Sequence, residues 1–428
     1  MAANVSRRNF AKLFAVGGSA ALFADPAWAR EAGVPRDILP AGPSAGEPFW
    51  TSVREQFVMP PDLAVMNAAN LCPASRPVAE CLARESHSVD ADPSPTNRAR
   101  LMPEKEKTRL ALAEFLRVTP DEIIITRNTS EANNMVSSGL DLKAGDEVLL
   151  HEDNHPSNLT AWREKGKRFG FSVVVVPQKN PHPGAEYYMD AFTKAITPRT
   201  KVMAVTHLTS TVGDVMPARE LAALARSRGI LFLLDGAQSF GLLDVNLSEI
   251  QPDFYSGSAH KWPCGARECG VLYVNRNAQS RLWPSLYSAY PGAVGFSKTF
   301  ESFGQRDEAT MIAMHEALTF QTKVGRKAIE ERSRALTTQL MEGLAKIPGI
   351  TNWTSPVADR RAAIVSFVPA ALDAHTLADA LYTNDRLGVT TRGGKDRPGI
   401  RVSPHFFNSP AEVDKLVAAL TKYVKSGV

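Results

Sequence analysis

The chain has 428 residues, of which 44% are hydrophobic and 22% are charged, a composition typical of globular proteins that excludes a disordered or fibrous chain. Its 49 lysines and arginines against 45 aspartates and glutamates leave a net charge of +4. No cluster of basic residues interleaved with aromatic residues is present, so we expect small-molecule ligands and no nucleic acid.

The first thirty residues differ from the rest of the chain. Arg7 and Arg8 precede a weakly apolar stretch from Ala11 to Phe23, and Ala27-Trp28-Ala29 offers small residues for cleavage. The stretch is interrupted by two glycines and is shorter than the about 20 residues of a membrane span. This pattern predicts a twin-arginine signal peptide at 1–29, export of the folded protein to the periplasm and no stable membrane span after cleavage. An amphipathic amino terminus without a targeting role is the alternative.

Short apolar runs alternate with helical stretches from residue 50 onward. The runs are rich in β-branched residues, as in strands that are buried on both faces of a parallel sheet. Stretches such as 217–228 carry helical spacing between them, so we predict a doubly wound α/β domain. The predicted parallel strands are 122–126, 147–151, 172–176, 201–206, 230–235 and 270–274.

The carboxyl-terminal part of the chain has a different pattern. Long helical stretches at 309–323, 327–346 and 409–425 flank short strands such as 363–367, which predicts a smaller α+β domain. We therefore divide the mature chain into an extended arm at 30–49, an amino-terminal part of the small domain at 50–85, a large domain at 86–306 and a carboxyl-terminal small domain at 307–428.

Two segments carry the strongest chemical signal. Asp235 ends a buried apolar run, where its charge would be strongly disfavoured unless it met a cation such as a protonated pyridine nitrogen. Lys261 follows in the segment 256–262. A lysine that forms a Schiff base, with an aspartate as partner of the pyridinium, is what pyridoxal 5'-phosphate (PLP) chemistry requires. We therefore predict a PLP enzyme with Lys261 as its catalytic residue.

From about Val65 to its end, the chain resembles the class V aminotransferase family of PLP enzymes, and within it the isopenicillin N epimerase-like branch. The resemblance implies a fold type I PLP-dependent transferase. In that fold a large, doubly wound and mainly parallel seven-stranded sheet domain binds the cofactor beside a smaller α+β domain. It also implies a homodimer.

Several segments resemble the cofactor contacts of this family. The segment 127–132 resembles a phosphate-binding loop at a helix start, which implicates Thr129 and Ser130, although an ordinary helix cap would explain the same residues. A His-x-x-Asn segment implies that His155 stacks on the pyridine ring. The resemblance further implies a contact of Gln238 with the phenolic oxygen and phosphate contacts for Ser258 and His260.

Three residues carry expectations about the interface and the substrate. Gln305 stands in a loop that resembles one reaching the neighbouring subunit's phosphate, where the family has Thr, and a surface loop is the alternative. Arg401 resembles the residue that binds the substrate carboxylate, because its guanidinium fork matches a carboxylate. Arg392 is a second candidate, for which a solvated ion pair is an equal alternative. We expect no metal.

The cysteines bear on the choice of reaction. A cysteine desulfurase needs a nucleophilic cysteine on the loop before Arg401, and 392–399 contains none. We therefore do not expect desulfuration. The spacing of the chain's cysteines matches neither a metal site nor a redox pair, so we expect buried free thiols at Cys72, Cys81, Cys264 and Cys269.

The reaction we expect is at the α-amino group of an amino acid or small peptide, in an epimerase-like or transaminase-like enzyme. A side-chain elimination lyase and a periplasmic siderophore-peptide tailoring enzyme are alternatives. A PLP-fold binding protein is the alternative outside enzymes, but it would predict the loss of Lys261 or Asp235. Tyr287 and Tyr290 are candidates for a second acid or base, with packing as the alternative.

Overall fold

In the computed structural model, residues 42–287, 295–393 and 396–428 are described, and all belong to one unit of the chain, Ala41–Val428. The predicted signal peptide and Tyr290 lie outside the described residues. Within the described ranges, no helix combines the length and the apolar character that a membrane crossing needs.

The strands are short and are numbered in chain order. They are β1 (Ala64–Val65), β2 (Ile123–Thr126), β3 (Glu147–His151), β4 (Ser172–Val176), β5 (Thr200–Thr206), β6 (Leu231–Asp235), β7 (Phe254–Ser258), β8 (Gly270–Val274), β9 (Ile350–Asn352), β10 (Val365–Pro369), β11 (Leu387–Gly388), β12 (Thr390–Arg392) and β13 (Gly399–Val402).

Helices separate most of these strands. They are α1 (Glu47–Arg54), α2 (Arg76–Ala91), α3 (Pro95–Ala99), α4 (Leu101–Leu116), α5 (Thr129–Gly139), α6 (Pro156–Phe169), α7 (Ala185–Ala195), α8 (Ala218–Ser227), α9 (Leu247–Ile250), α10 (Phe296–Glu301), α11 (Glu308–Val324), α12 (Arg326–Leu344), α13 (Ala374–Asp385) and α14 (Pro410–Ser426). Helix α1 begins at Glu47, inside the segment that we predicted to be an extended arm.

Seven strands form one sheet in the order β2-β8-β7-β6-β5-β3-β4. The pairs among β3, β4, β5, β6 and β7 are parallel, which confirms the predicted mainly parallel sheet. The prediction that 270–274 is a parallel strand was wrong, because β8 is antiparallel to both β7 and β2. The connection at 259–269 contains no helix and is too short for the crossover that a parallel pair needs.

The direction of the strands determines where the polar loops meet. Strand β2 is antiparallel to β8, and β8 is antiparallel to β7, so β2 runs in the same direction as β7. The carboxyl ends of β2, β3, β5, β6 and β7 therefore lie at one edge of the sheet, which is where α/β folds bind ligands.

A buried ion pair closes the outer edge of β2. Arg109 donates to both carboxylate oxygens of Glu301, at 2.7 and 2.8 Å, and its Nη1 also donates to the Ile123 carbonyl at 2.7 Å. Glu301 accepts a hydrogen bond from the Ile125 amide at 2.6 Å. Because an edge strand otherwise leaves its backbone groups unpaired, these contacts fix the strand that leads into the predicted phosphate loop.

A second sheet of four antiparallel strands has the order β12-β13-β10-β9. It packs with α12, α13 and α14 around a separate apolar core that includes Phe367 and Leu416. Strand β1 pairs in parallel with β11, and Ala64 and Met66 join this core. This arrangement agrees with the α+β character expected of the carboxyl-terminal part, while the domain boundaries stay a prediction.

Candidate active site

A cavity of about 320 Å³ lies at the carboxyl edge of the seven-stranded sheet. It collects residues from five strand ends, from the loop after β1 and from β13 of the second sheet. Of the sequence-predicted site residues, it brings together Thr129, Ser130, His155, Asp235, Gln238, Ser258, His260, Lys261 and Arg401.

Asp235 is held at the bottom of this cavity by three hydrogen bonds. It ends β6 and is 1% exposed. Its Oδ2 accepts from Asn133 at 2.8 Å and from Asn158 at 3.3 Å, and its Oδ1 accepts from the Ala237 amide at 3.0 Å. In the described part of the chain, no cation lies within ion-pair distance of Asp235.

Lys261 reaches the cavity from the loop after β7. Burial lowers the pKa of Lys261 to about 8, the nearby Asp235 carboxylate opposes this shift, and the Arg401 guanidinium adds to it. At pH 7 about one tenth of the amines with such a pKa are neutral, against about one in 3000 at the ordinary value. The site therefore supplies a neutral amine for attack on an aldehyde near physiological pH.

Hydroxyl groups gather around the start of helix α5. The Thr129 amide donates to Ser258 Oγ at 2.8 Å, and the Thr129 and Ser258 hydroxyl oxygens are 2.7 Å apart. Ser130 Oγ donates to Ser157 Oγ at 3.2 Å. Burial, with a further contribution from Lys261, lowers the pKa of His260 to about 4, so its imidazole is neutral. Amides and hydroxyls at a helix amino terminus form an anion site.

Gly270 allows β8 to approach the loop that leads into α5. A Cβ atom at this position would lie 2.5 Å from the Gly257 carbonyl oxygen and 2.9 Å from the Cα of Asn128. Asn128 in turn caps α5, because its side chain accepts a hydrogen bond from the Glu131 amide at 3.0 Å. The helix cap that we considered as the alternative is thus present, and it coexists with the cluster of hydroxyls.

Two side chains border the space between the hydroxyl cluster and Asp235. The ring Nδ1 of His155 accepts from the Ser157 amide at 3.2 Å, and burial lowers its pKa, so we infer a neutral ring with its proton on Nε2. Gln238 donates to the Ala69 carbonyl at 2.9 Å and accepts from Trp262 at 2.8 Å. Its second N–H remains for the contact with the phenolic oxygen that the sequence predicts.

Arg401 enters the cavity from β13. Its Nη1 donates to the Ser210 carbonyl at 2.9 Å and its Nη2 to Asn67 Oδ1 at 3.5 Å, while its buried Nε has no acceptor. Burial and the neighbouring Arg392 lower the pKa of Arg401 to about 10. No carboxylate of the described ranges pairs with it, so the guanidinium is free to bind an anion.

Other predicted residues lie outside the cavity. Arg392 is half-buried on the neighbouring strand β12 and does not line the cavity wall. Gln305 is exposed beside Arg306, whose guanidinium donates to the Ile125 carbonyl at 2.7 Å. Tyr287 is 63% exposed and does not line the cavity either, so nothing here supports it as a second acid.

The sequence analysis missed the two asparagines that hold Asp235. Asn133 is 1% exposed, and its Oδ1 also accepts a hydrogen bond from Ser256 at 2.8 Å. Asn158 is fully buried and belongs to the His-x-x-Asn segment that drew attention to His155. Each asparagine lies on the inward face of a helix, about one turn after a candidate site residue. This position is the signal from which the sequence could have identified them.

The residues of the cavity match the chemical groups of PLP. The buried Asp235 carboxylate lacks a cation, which a protonated pyridine nitrogen would provide. The hydroxyls at the start of α5 provide donors for a phosphate. Lys261 lines the same cavity and has a lowered pKa. The described residues therefore match the pyridine nitrogen, the phosphate and the aldehyde of PLP.

Comparisons with known proteins agree with this fit. A model of the family described as "Aminotransferase class-V" matches residues 83–416. The isopenicillin N epimerase of Amycolatopsis lactamdurans is 29% identical over 398 residues, which cover 88% of this chain and 99% of that protein. A probable cysteine desulfurase of Pyrococcus abyssi (strain GE5 / Orsay) is 29% identical over 345 residues, covering 75% and 83% of the two chains.

Solved structures share the fold. The cysteine desulfurase from Thermococcus onnurineus NA1 has a TM-score of 0.79 and 23% identity, with 87% of this chain and 98% of that chain covered. A variant of C-DES with glycine covalently linked to its PLP cofactor has a TM-score of 0.80 and 23% identity, covering 86% and 98%.

The fold and the cavity thus define a PLP-dependent enzyme of the α/β type. The chain belongs to the class V aminotransferase family, and its cofactor is PLP.

Proposed function

We propose that this protein is an epimerase-like or transaminase-like enzyme that acts at the α-amino group of an amino acid or small peptide, with Lys261 holding the cofactor. The observation that carries this proposal is that Lys261, Asp235 and Arg401 line one cavity, in which the pKa of Lys261 is lowered to about 8. Such an amine can accept and return a proton near neutral pH. Relatives named isopenicillin N epimerase support the same reading.

When PLP is bound, it withdraws electrons from the α-carbon and so weakens the bonds to that atom. Asp235, fixed by three donors, keeps a proton on the pyridine nitrogen. Arg401 would bind and orient the substrate carboxylate. Once the substrate amino group has displaced Lys261 from the cofactor, the free Lys261 Nζ could take the α-proton and give it back. The outcome depends on the atom to which Lys261 returns the proton.

Desulfuration by a protein thiol finds no support in this chain, although several relatives are named as probable cysteine desulfurases. Cys72, Cys81, Cys264 and Cys269 are all buried and unpaired, as the sequence predicts, and none lines the cavity. Burial raises the pKa of Cys269 to about 12, which opposes the thiolate that desulfuration needs.

The experiment that tests the proposal is incubation of the purified enzyme with a panel of amino acids in deuterated water. Cofactor absorbance and the proton NMR spectrum of each amino acid are followed together. Deuterium at the α-carbon with loss of optical purity identifies an epimerase, and a keto acid with the cofactor in its pyridoxamine form identifies a transaminase. Release of a side-chain fragment would establish the elimination lyase instead.

A Lys261→Ala variant is the matched control for this panel, because the proposal requires that exchange at the α-carbon depends on that amine. Exchange at the wild-type rate in this variant contradicts the proposal. Failure of every amino acid to exchange with the wild-type enzyme excludes free amino acids as substrates and leaves a peptide substrate or a binding protein; absence of exchange with small peptides as well would contradict the proposal.

We further propose that the enzyme is a homodimer in which Gln305 contributes to the neighbouring subunit's phosphate site. Its exposed position, in a loop whose Phe303 lies 6.0 Å from the Arg127 guanidinium, supports this proposal. Sedimentation velocity measures the oligomeric state, and Gln305→Ala should weaken PLP binding without changing that state. A monomer with full cofactor affinity contradicts the proposal.

Export to the periplasm by the twin-arginine pathway is also a proposal, based on Arg7 and Arg8 ahead of the weakly apolar stretch. Fractionation of cells that express the wild-type chain or an Arg7→Lys, Arg8→Lys variant tests it. Equal distribution of both between the cytoplasm and the periplasm would overturn it.

A further inference from the structure

Arg401 and Arg392 lie on the same face of the four-stranded sheet. The cross-strand partner of Arg401 is Thr390, and that of Arg392 is Gly399. Because side chains alternate between faces along a strand, Arg392 shares its face with Thr390 and therefore with Arg401. Diagonal neighbours of this kind are about 7–8 Å apart.

Neither arginine has a carboxylate partner in the ranges that the structure describes. Arg401 contacts the neutral acceptors of Ser210 and Asn67, and its Nε has no acceptor. The Nε of Arg392 donates to the carbonyl of Arg397 at 3.4 Å. Burial lowers the pKa of both guanidinium groups, and Arg392 lowers that of Arg401 further. Asp153 and Asp396 oppose the shift of Arg392, whereas no carboxylate opposes that of Arg401.

The nearest carboxylates are engaged elsewhere. Asp153, which attracts Arg392, accepts two hydrogen bonds from Arg397 at 2.8 and 2.5 Å. Asp153 also accepts from the Thr211 hydroxyl. Asp396 accepts from Arg397 at 2.9 and 2.5 Å. The two acids share the single guanidinium of Arg397, so their charge also offsets that of Arg392, but neither contacts Arg392 directly. Within the described residues only the Nε of Arg392 makes a hydrogen bond, so its Nη groups remain donors for a ligand that extends from Arg401.

We propose that the substrate carries two anionic groups, with its α-carboxylate bound by Arg401 and a second carboxylate bound by Arg392. The substrate class is then an amino dicarboxylic acid, or a small peptide with a carboxylate at a similar spacing. A monoanion would leave the Nη donors of Arg392 unused, whereas a second carboxylate can accept hydrogen bonds from them. This inference rests on the proposed function, because it takes Arg401 as the site of the α-carboxylate.

The test compares glutarate with glutaramate, its monoamide, which has the same size but one carboxylate fewer. Their affinities for the PLP-loaded enzyme are measured by isothermal titration calorimetry in the wild type, Arg392→Gln and Arg401→Gln. A charge-assisted pair contributes about 10- to 100-fold in affinity, so glutarate should bind the wild type tighter than glutaramate by that factor.

The variants separate the two subsites. Arg392→Gln should remove the advantage of glutarate and leave the affinity for glutaramate unchanged, whereas Arg401→Gln should weaken both ligands. Arg228→Gln, at an exposed arginine after α8, is the control and should bind both ligands as the wild type does. Equal affinities in the wild type, or an advantage that survives Arg392→Gln, would overturn the inference.

Failure of this inference is distinguishable from failure of the proposed function, because neither ligand has an amino group to react at Lys261. α-Deuteration of glutamate and glutamine in deuterated water provides the separate readout of chemistry. If both amino acids exchange with equal kcat/KM, the proposed function holds and the two-anion substrate is rejected. A 10- to 100-fold preference for glutamate that is lost in Arg392→Gln supports both.

Discussion

Arg397 donates to both oxygens of the Asp153 carboxylate, at 2.8 Å from Nη1 and 2.5 Å from Nη2. The side chains are only 7% and 4% exposed. Asp153 stands two residues before His155, and Arg397 stands four residues before Arg401. The pair therefore ties the loop that borders the cofactor cavity to the hairpin that carries Arg401.

Arg397→Ala is expected to destabilise the protein by about 3–5 kcal/mol, because it leaves the Asp153 carboxylate buried without its cation. Urea unfolding at pH 7 measures the change. In a double-mutant cycle, Arg397→Ala combined with Asp153→Ala should cost less than the sum of the single changes. Additive costs would mean that the two groups are not coupled.

Asp235→Asn is expected to lower kcat/KM by about 10²–10³-fold, because it removes the charge that faces the pyridine nitrogen. Asn133→Ala removes one of the three donors to Asp235 and should have a smaller effect in the same direction. Steady-state kinetics with any substrate from the deuterium panel measures both. An Asn133→Ala enzyme that is more impaired than Asp235→Asn would contradict the ordering.

The rate at which apoenzyme binds PLP covalently should rise with pH to a plateau, with a midpoint near the Lys261 pKa of about 8. Only the neutral amine attacks the aldehyde, so the rate follows the deprotonated fraction. Arg401→Gln removes a nearby positive charge and should move the midpoint upward, whereas Asp235→Asn should move it downward. Stopped-flow absorbance measures the rates. A wild-type midpoint near the ordinary lysine value would refute the assigned environment.

The free energy of unfolding should fall as the pH is lowered from 7 to 5. Burial lowers the pKa values of His151 and His207 to about 4 and that of His405 to about 3. In this window only the unfolded chain binds these protons, which costs about 2 kcal/mol per histidine. Burial raises the pKa of Asp214 to about 7, so that carboxyl acts in the opposite direction and offsets about one histidine.

His151→Phe tests this balance, because the ring packs against Tyr188 at a centroid distance of 5.3 Å and near Phe192. The variant should lose about 2 kcal/mol less than the wild type between pH 7 and 5. Urea unfolding at the two pH values gives the difference. An unchanged pH dependence would mean that His151 does not take up a proton on unfolding between pH 7 and 5.

Much of the fold is encoded in patterns that are local in sequence. Uninterrupted apolar runs identified β2, β3, β4, β5, β6 and β8. Strands buried on both faces need no polar alternation, and all of these except the edge strand β4, which is mostly half-buried, are almost completely buried. Strand β7 has the sequence FYSGS and lacks such a run. Ser256 is buried against Asn133, Ser258 against Thr129 beside the cavity, and Gly257 against Phe240. The antiparallel direction of β8 depends on a loop geometry that periodicity does not encode.

The active-site residues likewise divide into those that a local sequence pattern predicts and those that it does not. The residues that directly follow strands were identified because parallel strands bring their carboxyl ends together. The support for Asp235 was missed, since Asn133 precedes it by 102 positions in the sequence. The Arg397–Asp153 pair joins residues 244 positions apart. Contacts over such separations depend on how the two sheets pack, which no local pattern specifies.

The most direct test of the central claim is borohydride reduction of the PLP-loaded enzyme, followed by proteolysis and mass spectrometry of the peptides. If Lys261 holds the cofactor, the reduced label is found on the peptide that contains Lys261, and a Lys261→Ala variant carries none. A label on another lysine in the wild-type enzyme, or a label retained by the variant, would contradict the assignment of the active site.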